Sequence, residues 1–421
     1  MGNAQSPPNN PQYVSATRAF TQKELQDLNS LFISLSSQSH NNGNSISLSV
    51  FQSYFKLHGP IGERMFDLIT QERKDQSLTF EDLVIAKATY EKGTKDEIEE
   101  FIFRLLDISG DNFVGRSDLE SVVISIFNDI LCIKDPEVTS SSNHDIVNIF
   151  LNAANFSMHD EGSTEETLSF EDFRRWCARL PSVRKLLGSL LISPDSGRPG
   201  SRIPNLLTSK GIDSNIILLR KEYAWHIGGA LSQHELEDWK LLYHSAVNGH
   251  SFNTFLGHIS NHAGPTVLII KDKEGIIYGG YASQPWERHA EFYGDMKCYI
   301  FQLNPVASIF KPTGANNNVQ WCAVNFTSEE IPNGIGFGGR VNHFGLFISA
   351  NFDQGHTFSC STFGSPCLSN TSRILPEVIE CWGVTQGEAQ GKNDAVKGTI
   401  LDRFKEDRSM LNLVGLANSS E

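Results

Sequence analysis

The residues in this 421-residue chain whose types and spacing best suit ion chemistry stand in one short frame that begins at Asp107. Counting from there, Asp107, Ser109 and Asp111 occupy positions 1, 3 and 5, the Phe113 carbonyl falls at position 7, and Asp118 ends the frame at position 12. Calcium takes six to eight oxygen ligands, and this alternation turns every second side chain towards one centre. The spacing predicts one calcium loop with Asp107, Ser109, Asp111, Phe113 and Asp118 as ligands. Two departures weaken it. Asn112 replaces the usual turn glycine, and Asp118 replaces a longer bidentate glutamate, which lowers calcium affinity or favours magnesium. The competing reading is a vestigial loop kept for packing.

Other motifs carry less chemistry. Gly334, Gly336 and Gly339 form a G-x-G-x-x-G run, but a strand-like stretch from Val341 to Ile348 follows it where a phosphate site needs a helix. A tight glycine turn against a sheet is the expectation. His234-Glu235 opens like a zinc-protease helix and lacks the second histidine. Ser251 lacks the trailing glycine of a nucleophile elbow. His226, His244, His250, His258, His262 and His343 are scattered, and each is expected to be a hydrogen-bonded structural residue. Cys360 and Cys367 could react with oxidants only if a neighbouring group lowered the thiol pKa. These residues form no constellation with defined catalytic roles, so the expectation is a non-enzyme.

The elements that must position the frame at Asp107 are helices over residues 96–106 and 118–131. They belong to a recurrent unit of polar loop, β-like triplet with a central aliphatic residue, and helix start. Its copies centre on Ile46, Leu78, Val114 and Leu168. Four such units resemble two EF-hand pairs. The other three loops read as structural: Gln71 and Arg73 occupy ligand places in one, the frame from Glu161 offers Glu161, Ser163, Glu165 and Asp172 but lacks the turn glycine, and residues 40–44 hold no carboxylate. The expected layout is a polar start over 1–16, an EF-hand-like helical region over 17–192 and a turn-rich linker over 193–202. A β-rich domain over 203–384 follows, then a linker over 385–398 and a C-terminal helix over 399–416, which docks on its own domain or grips a partner. Within the β-rich part a helix is predicted over 232–243, and strands joined by hairpins elsewhere point to an antiparallel sandwich. The fold class is α+β.

A formal charge of −14 argues against nucleic acid as a partner, because phosphate-backbone binding needs a basic footprint. Seven cysteines with no Cys-x-x-Cys pair fit free thiols in a reducing compartment. No apolar stretch approaches the roughly 20 residues that span a bilayer. The opening Met1-Gly2-Asn3-Ala4-Gln5-Ser6 matches the N-myristoylation pattern at Gly2; a polar disordered start is the alternative. A single acyl chain binds membranes only marginally, so the expectation is a cytoplasmic protein associating transiently with a cytosolic membrane face.

The β-rich segment resembles the TLDc domain family. The resemblance rests on Trp239 to Ser245 followed by Gly249-His250-Ser251-Phe252, and on the hairpin from Gly264 to Ala282 with Pro285-Trp286. It continues through Phe301-Gln302-Leu303, Gly336 to Gly339, Phe344-Gly345-Leu346 and Phe358 to Phe363, and ends at Glu380-Cys381-Trp382-Gly383. The overall layout is similar to a myristoylated EF-hand-plus-TLDc subgroup. The resemblance implies a regulator or adaptor that binds a membrane protein complex, the V-ATPase, with links to oxidative stress or growth signalling. Glu222, Glu291 and Glu380 are then acidic residues in the domain, expected as solvated surface charges. An antioxidant-type enzyme using the domain's His and Cys residues, and a calcium sensor, are the alternatives.

Overall fold

The structure is a computed structural model, and it describes residues 10–39, 44–71, 77–131, 141–158, 166–194, 197–209 and 211–385. Gly2 and the helix expected over 399–416 lie outside the described residues.

The N-terminal half is helical: α1 (Pro11–Thr17), α2 (Gln22–Gln38), α3 (Leu48–Phe55), α4 (Pro60–Ile69), α5 (Phe80–Lys92), α6 (Lys95–Leu106), α7 (Arg116–Leu131) and α8 (Ser141–Leu151). The short strands β1 (Phe156–Met158) and β2 (Glu166–Leu168) come next, followed by α9 (Phe170–Arg179) and α10 (Pro181–Leu187). Helix starts are fixed locally. Thr21–Glu24, Thr79–Asp82 and Thr94–Glu97 form reciprocal capping boxes that satisfy otherwise orphaned N–H groups. The four repeated triplets pair as EF-hand loops do. Ile46 bridges Leu78, Gly115 bridges Thr167, and Leu168 N–H donates to the Val114 carbonyl at 2.9 Å. All four central aliphatic residues are buried.

The C-terminal half runs β3 (Asn205–Leu207), α11 (Lys221–Gly228), β4 (Asp238–His244), α12 (Ser245–Asn248) and α13 (Phe252–Ile259). Strands then dominate: β5 (Thr266–Asp272), β6 (Ile277–Ala282), β7 (Tyr299–Asn304), β8 (Ser308–Phe310), β9 (Trp321–Ala323), β10 (Gly334–Arg340), β11 (His343–Ser349), β12 (Gly355–His356), β13 (Arg373–Ile374) and β14 (Pro376–Val384). One sheet has the order β3-β4-β14-β5-β6-β7-β8 and the other β13-β12-β11-β10-β9. The last strand, β14, enters the first sheet between β4 and β5, so the end of the domain locks its beginning.

Two local expectations are corrected. Residues 232–243 are not a helix: a 3-10 turn at Gln233–Glu235 leads into β4. Trp239, Leu241 and Tyr243 are all buried at a spacing of two, and pairing with β14 and β3 overrides helical propensity. The glycine run is not a tight turn either. Gly334–Arg340 is strand β10, between β9 and β11, and the positive φ angles of Gly338 (67°) and Gly339 (83°) bend it near its end.

The first sheet is apolar on both faces. Along β5, Leu268 and Ile270 join Phe337, Leu346 and Ile348 of the second sheet to form the sandwich core. Val267 and Ile269 face the other way, into a core shared with Tyr299, Phe301, Trp225 and the helical residues Phe127 and Phe150. The molecule is therefore layered as helices, seven-stranded sheet, five-stranded sheet, with an α+β fold. The turn-rich segment after α10 is bound down where the halves meet. Buried Arg198 donates to the carbonyls of Phe55 (2.6 Å) and Leu190 (3.0 Å), and the Trp225 indole donates to Gly200 O.

Candidate functional site

The frame at Asp107 lies between α6 and α7, where the sequence places it. Asp107 Oδ1 accepts the N–H groups of Gly110 (2.8 Å) and Asp111 (3.2 Å) and the Ser109 hydroxyl (3.3 Å). Its Oδ2 accepts Asn112 N–H at 3.2 Å and the Arg64 guanidinium at 3.0 Å. Asn112 makes the turn at φ 71°, the left-handed conformation that asparagine tolerates. Asp111 Oδ1 caps Phe113 N–H at 2.9 Å. Asp118 divides its oxygens between Ser109 N–H (3.1 Å) and Gly115 N–H (3.0 Å), and burial pushes its carboxyl above the usual range.

In this geometry the two end carboxylates of the frame, Asp107 and Asp118, each accept N–H groups of the loop backbone. Arg64 from α4 supplies a positive charge beside Asp107 at position 1. Among the described residues no group of three or more His, Cys, Asp or Glu is placed to hold a metal ion. Arg64 is the residue that sequence reasoning missed. It lies 43 positions from Asp107, and no local pattern announces the pair.

The β-rich half holds its polar groups inside. Glu380 is fully buried, contrary to its expected place on the surface, because β14 is an interior strand. It accepts the Leu218 and Leu219 N–H groups and the Trp382 indole. Burial pushes its carboxyl up, against the pull of Leu218 N–H, the Trp382 indole and nearby His244. Ala246 N–H donates to His244 Nδ1, which places the imidazole proton on Nε2, 3.1 Å from Ile216 O and 3.5 Å from Glu380 Oε1. Ser245 beside it accepts Ile379 N–H at 3.0 Å. A histidine, a carboxylate and a serine thus lie close together, sealed from solvent and bonded to backbone.

The remaining histidines are dispersed. His226 is buried against Phe150, and burial pushes its imidazole down to about 3. His250 bonds Glu377 O, His262 bonds Pro265 O, His258 lies by Tyr243, and His343 stacks on Phe358. Ser251 caps α13 through Thr254 N–H. Burial pushes the thiols of Cys177 and Cys298 up, and those of Cys322 and Cys381 up to about 12, away from the thiolate form that reacts. Cys360 is buried behind β10, where a Cβ on Gly338 would come within 2.7 Å of its sulfur. Of the acidic surface candidates, Glu291 is exposed and Glu222 half-buried.

These landmarks coincide with a known family. Residues 212–385 match the family model of the TLDc domain. The mTOR-associated protein MEAK7 of Mus musculus is 32% identical over 258 residues, covering 58% of this chain and 55% of the relative. Its Danio rerio counterpart is 36% identical over 180 residues, 42% of this chain and 39% of the relative. Oxidation resistance protein 1 of Mus musculus is 27% identical over 225 residues, 52% of this chain and 24% of the relative. The chain spans about half or less of the length of these curated relatives. Its interior β14, with Glu380 and Trp382 bonded to one another, closes a TLDc domain over residues 212–385.

Proposed function

We propose that this chain is a non-enzymatic regulator whose TLDc domain docks on a membrane protein complex, the V-ATPase, in oxidative-stress or growth signalling. The observation that carries this reading is the state of the domain's reactive groups. His244, Glu380 and Ser245 are buried and bonded to backbone, and Cys298, Cys322 and Cys381 have thiols raised by burial. A nucleophile needs an accessible base, and a redox thiol needs a lowered pKa. The relatives' names support the same reading: one group is named for association with mTOR, the other for oxidation resistance. No helix of the described residues is long and apolar enough to cross a membrane, so contact with a membrane complex would be peripheral, helped by acylation at Gly2. Affinity purification of the full chain and of Gly2→Ala, read by mass spectrometry, tests this. V-ATPase subunits should accompany the full chain, and their absence under every condition would overturn the proposal. Peroxide turnover by the purified protein that vanished in Cys360→Ser would favour an enzyme instead.

We propose further that the loop from Asp107 to Asp118 takes calcium only weakly, in competition with Arg64. The pairing of the loops supports an EF-hand origin, and the 3.0 Å contact between Arg64 and Asp107 opposes a metal. Calorimetric titration should give little heat for the wild type, more for Arg64→Gln and none for Asp107→Ala. Equal heats in all three would remove the site.

A further inference from the structure

A cavity of about 590 Å³ opens beside the β10–β11 hairpin, far along the chain from the Asp107 loop and lined by none of its residues. Its walls include Asn318, Arg340, His343, Ser359, Ser361 and Ser365. Among the described residues no carboxylate lines it. That is unusual in a chain of charge −14, and the local sequence explains it: residues 296–376 carry four Lys and Arg (Lys297, Lys311, Arg340 and Arg373) against three acids (Glu329, Glu330 and Asp353).

The hairpin is held rigidly. Asn318 donates to Gly339 O at 2.7 Å, Gly339 N–H donates to Thr362 Oγ1 at 2.9 Å, and Thr362 donates to Asn316 Oδ1 at 2.8 Å. Arg340, next in the strand, is exposed, and its guanidinium makes no hydrogen bond or ion pair among the described residues. The His343 ring is fixed by stacking on Phe358, with centroids 4.0 Å apart. Ser365 is the second, independent sign of a ligand. It is 4% exposed, it lines the cavity, and its enclosed hydroxyl has no hydrogen-bond partner among the described residues. A buried hydroxyl without a partner is costly, and a native fold keeps one where a ligand or water completes it.

We propose that this cavity binds the phosphate group of a small organic ligand. Arg340 supplies the charge and a two-pronged donor, the exposed hydroxyls of Ser359 and Ser361 supply further donors, and rotation of the enclosed Ser365 hydroxyl towards the ligand completes the set. A phosphate monoester has three terminal oxygens, enough to take a guanidinium fork and separate hydroxyls together. The cavity lies in the size range of small-molecule sites, with room for the rest of the ligand.

The phosphate can come from a soluble metabolite or from a lipid headgroup, and two probes separate these sources. Glycerol 3-phosphate binding is measured by calorimetry, and co-sedimentation is measured with phosphatidylcholine vesicles with and without phosphatidic acid. At least one phosphate probe should bind saturably to the full chain. Arg340→Gln should weaken it about tenfold or more, the scale of a charge-assisted hydrogen bond. Arg373→Gln, at a different cavity, should leave it unchanged. Ser365→Ala should weaken it several-fold with no drop in melting temperature, since it removes a hydroxyl that has no partner among the described residues. No saturable binding to either probe, or wild-type affinity in Arg340→Gln, would overturn the site. Loss in Arg340→Gln with wild-type affinity in Ser365→Ala would place the anion on the outer surface and overturn the cavity as its location.

Discussion

Glu380 is where a single side chain decides the most. It collects the Leu218 and Leu219 N–H groups, ahead of α11, and the Trp382 indole from its own strand, so one carboxylate ties the domain's first segment to its last. Removing it leaves buried donors without an acceptor. Glu380→Ala should therefore cost about 3–5 kcal/mol in denaturant unfolding, and Glu380→Gln less, since its amide oxygen still accepts. A cost below about 1 kcal/mol would show that water replaces the carboxylate. Residues such as these are poorly legible in sequence. Glu380 has no spacing signature of its own, and its role depends on β14 being interior, which only the long-range pairing with β4 and β5 decides. Arg64 is hidden for the same reason. The ligand frame itself is local, and so is readable from Asp107 to Asp118.

The elements divide between those that local chemistry determines and those that tertiary pairing determines. Capping residues and the aliphatic triplets make the helical repeats readable, because each signal lies within a few residues of its effect. β4 is the contrary case. Leu236, Trp239, Leu242 and Tyr243 satisfy a helical spacing, while Trp239, Leu241 and Tyr243 satisfy a strand spacing, and only the neighbouring strands choose between them. Sheet stacking also depends on missing atoms. A Cβ on Gly280 of β6 would fall 2.6 Å from the Phe337 ring of β10, across the interface of the two sheets. Gly280→Ala should destabilise the sandwich by about 1–3 kcal/mol through overpacking, read as a fall in the denaturant midpoint. Gly275→Ala is a poor control because its φ is 83°; Gly257, with open space at its Cβ and an ordinary helical φ, is the better one.

At the scale of the whole molecule, the seven-stranded sheet is shared property: its inner face belongs to the sandwich and its outer face to the helices. His226 sits at that junction, packed on Phe150 of α8. Its imidazole titrates near 3 in the fold, because of burial, against about 6.5 in an unfolded chain. Between those values the unfolded state binds a proton that the folded state does not, so stability falls as pH falls through the window. By pH 5 the loss from this group is on the order of 2 kcal/mol. Unfolding curves at pH 7.5 and 5 should show that drop, and His226→Gln should flatten it whatever its effect at neutral pH. An unchanged slope in the variant would assign the acid sensitivity elsewhere.

The same layering bears on function. The helices cover the outer face of the seven-stranded sheet, and the five-stranded sheet lies on its other side. The proposed partner docking is therefore tested on the intact chain. The most direct test is co-sedimentation of the purified full chain with membrane vesicles containing purified V-ATPase, against vesicles of the same lipids without it. The account predicts saturable binding only where the V-ATPase is present. Equal binding to both sets of vesicles, or to neither, would contradict it.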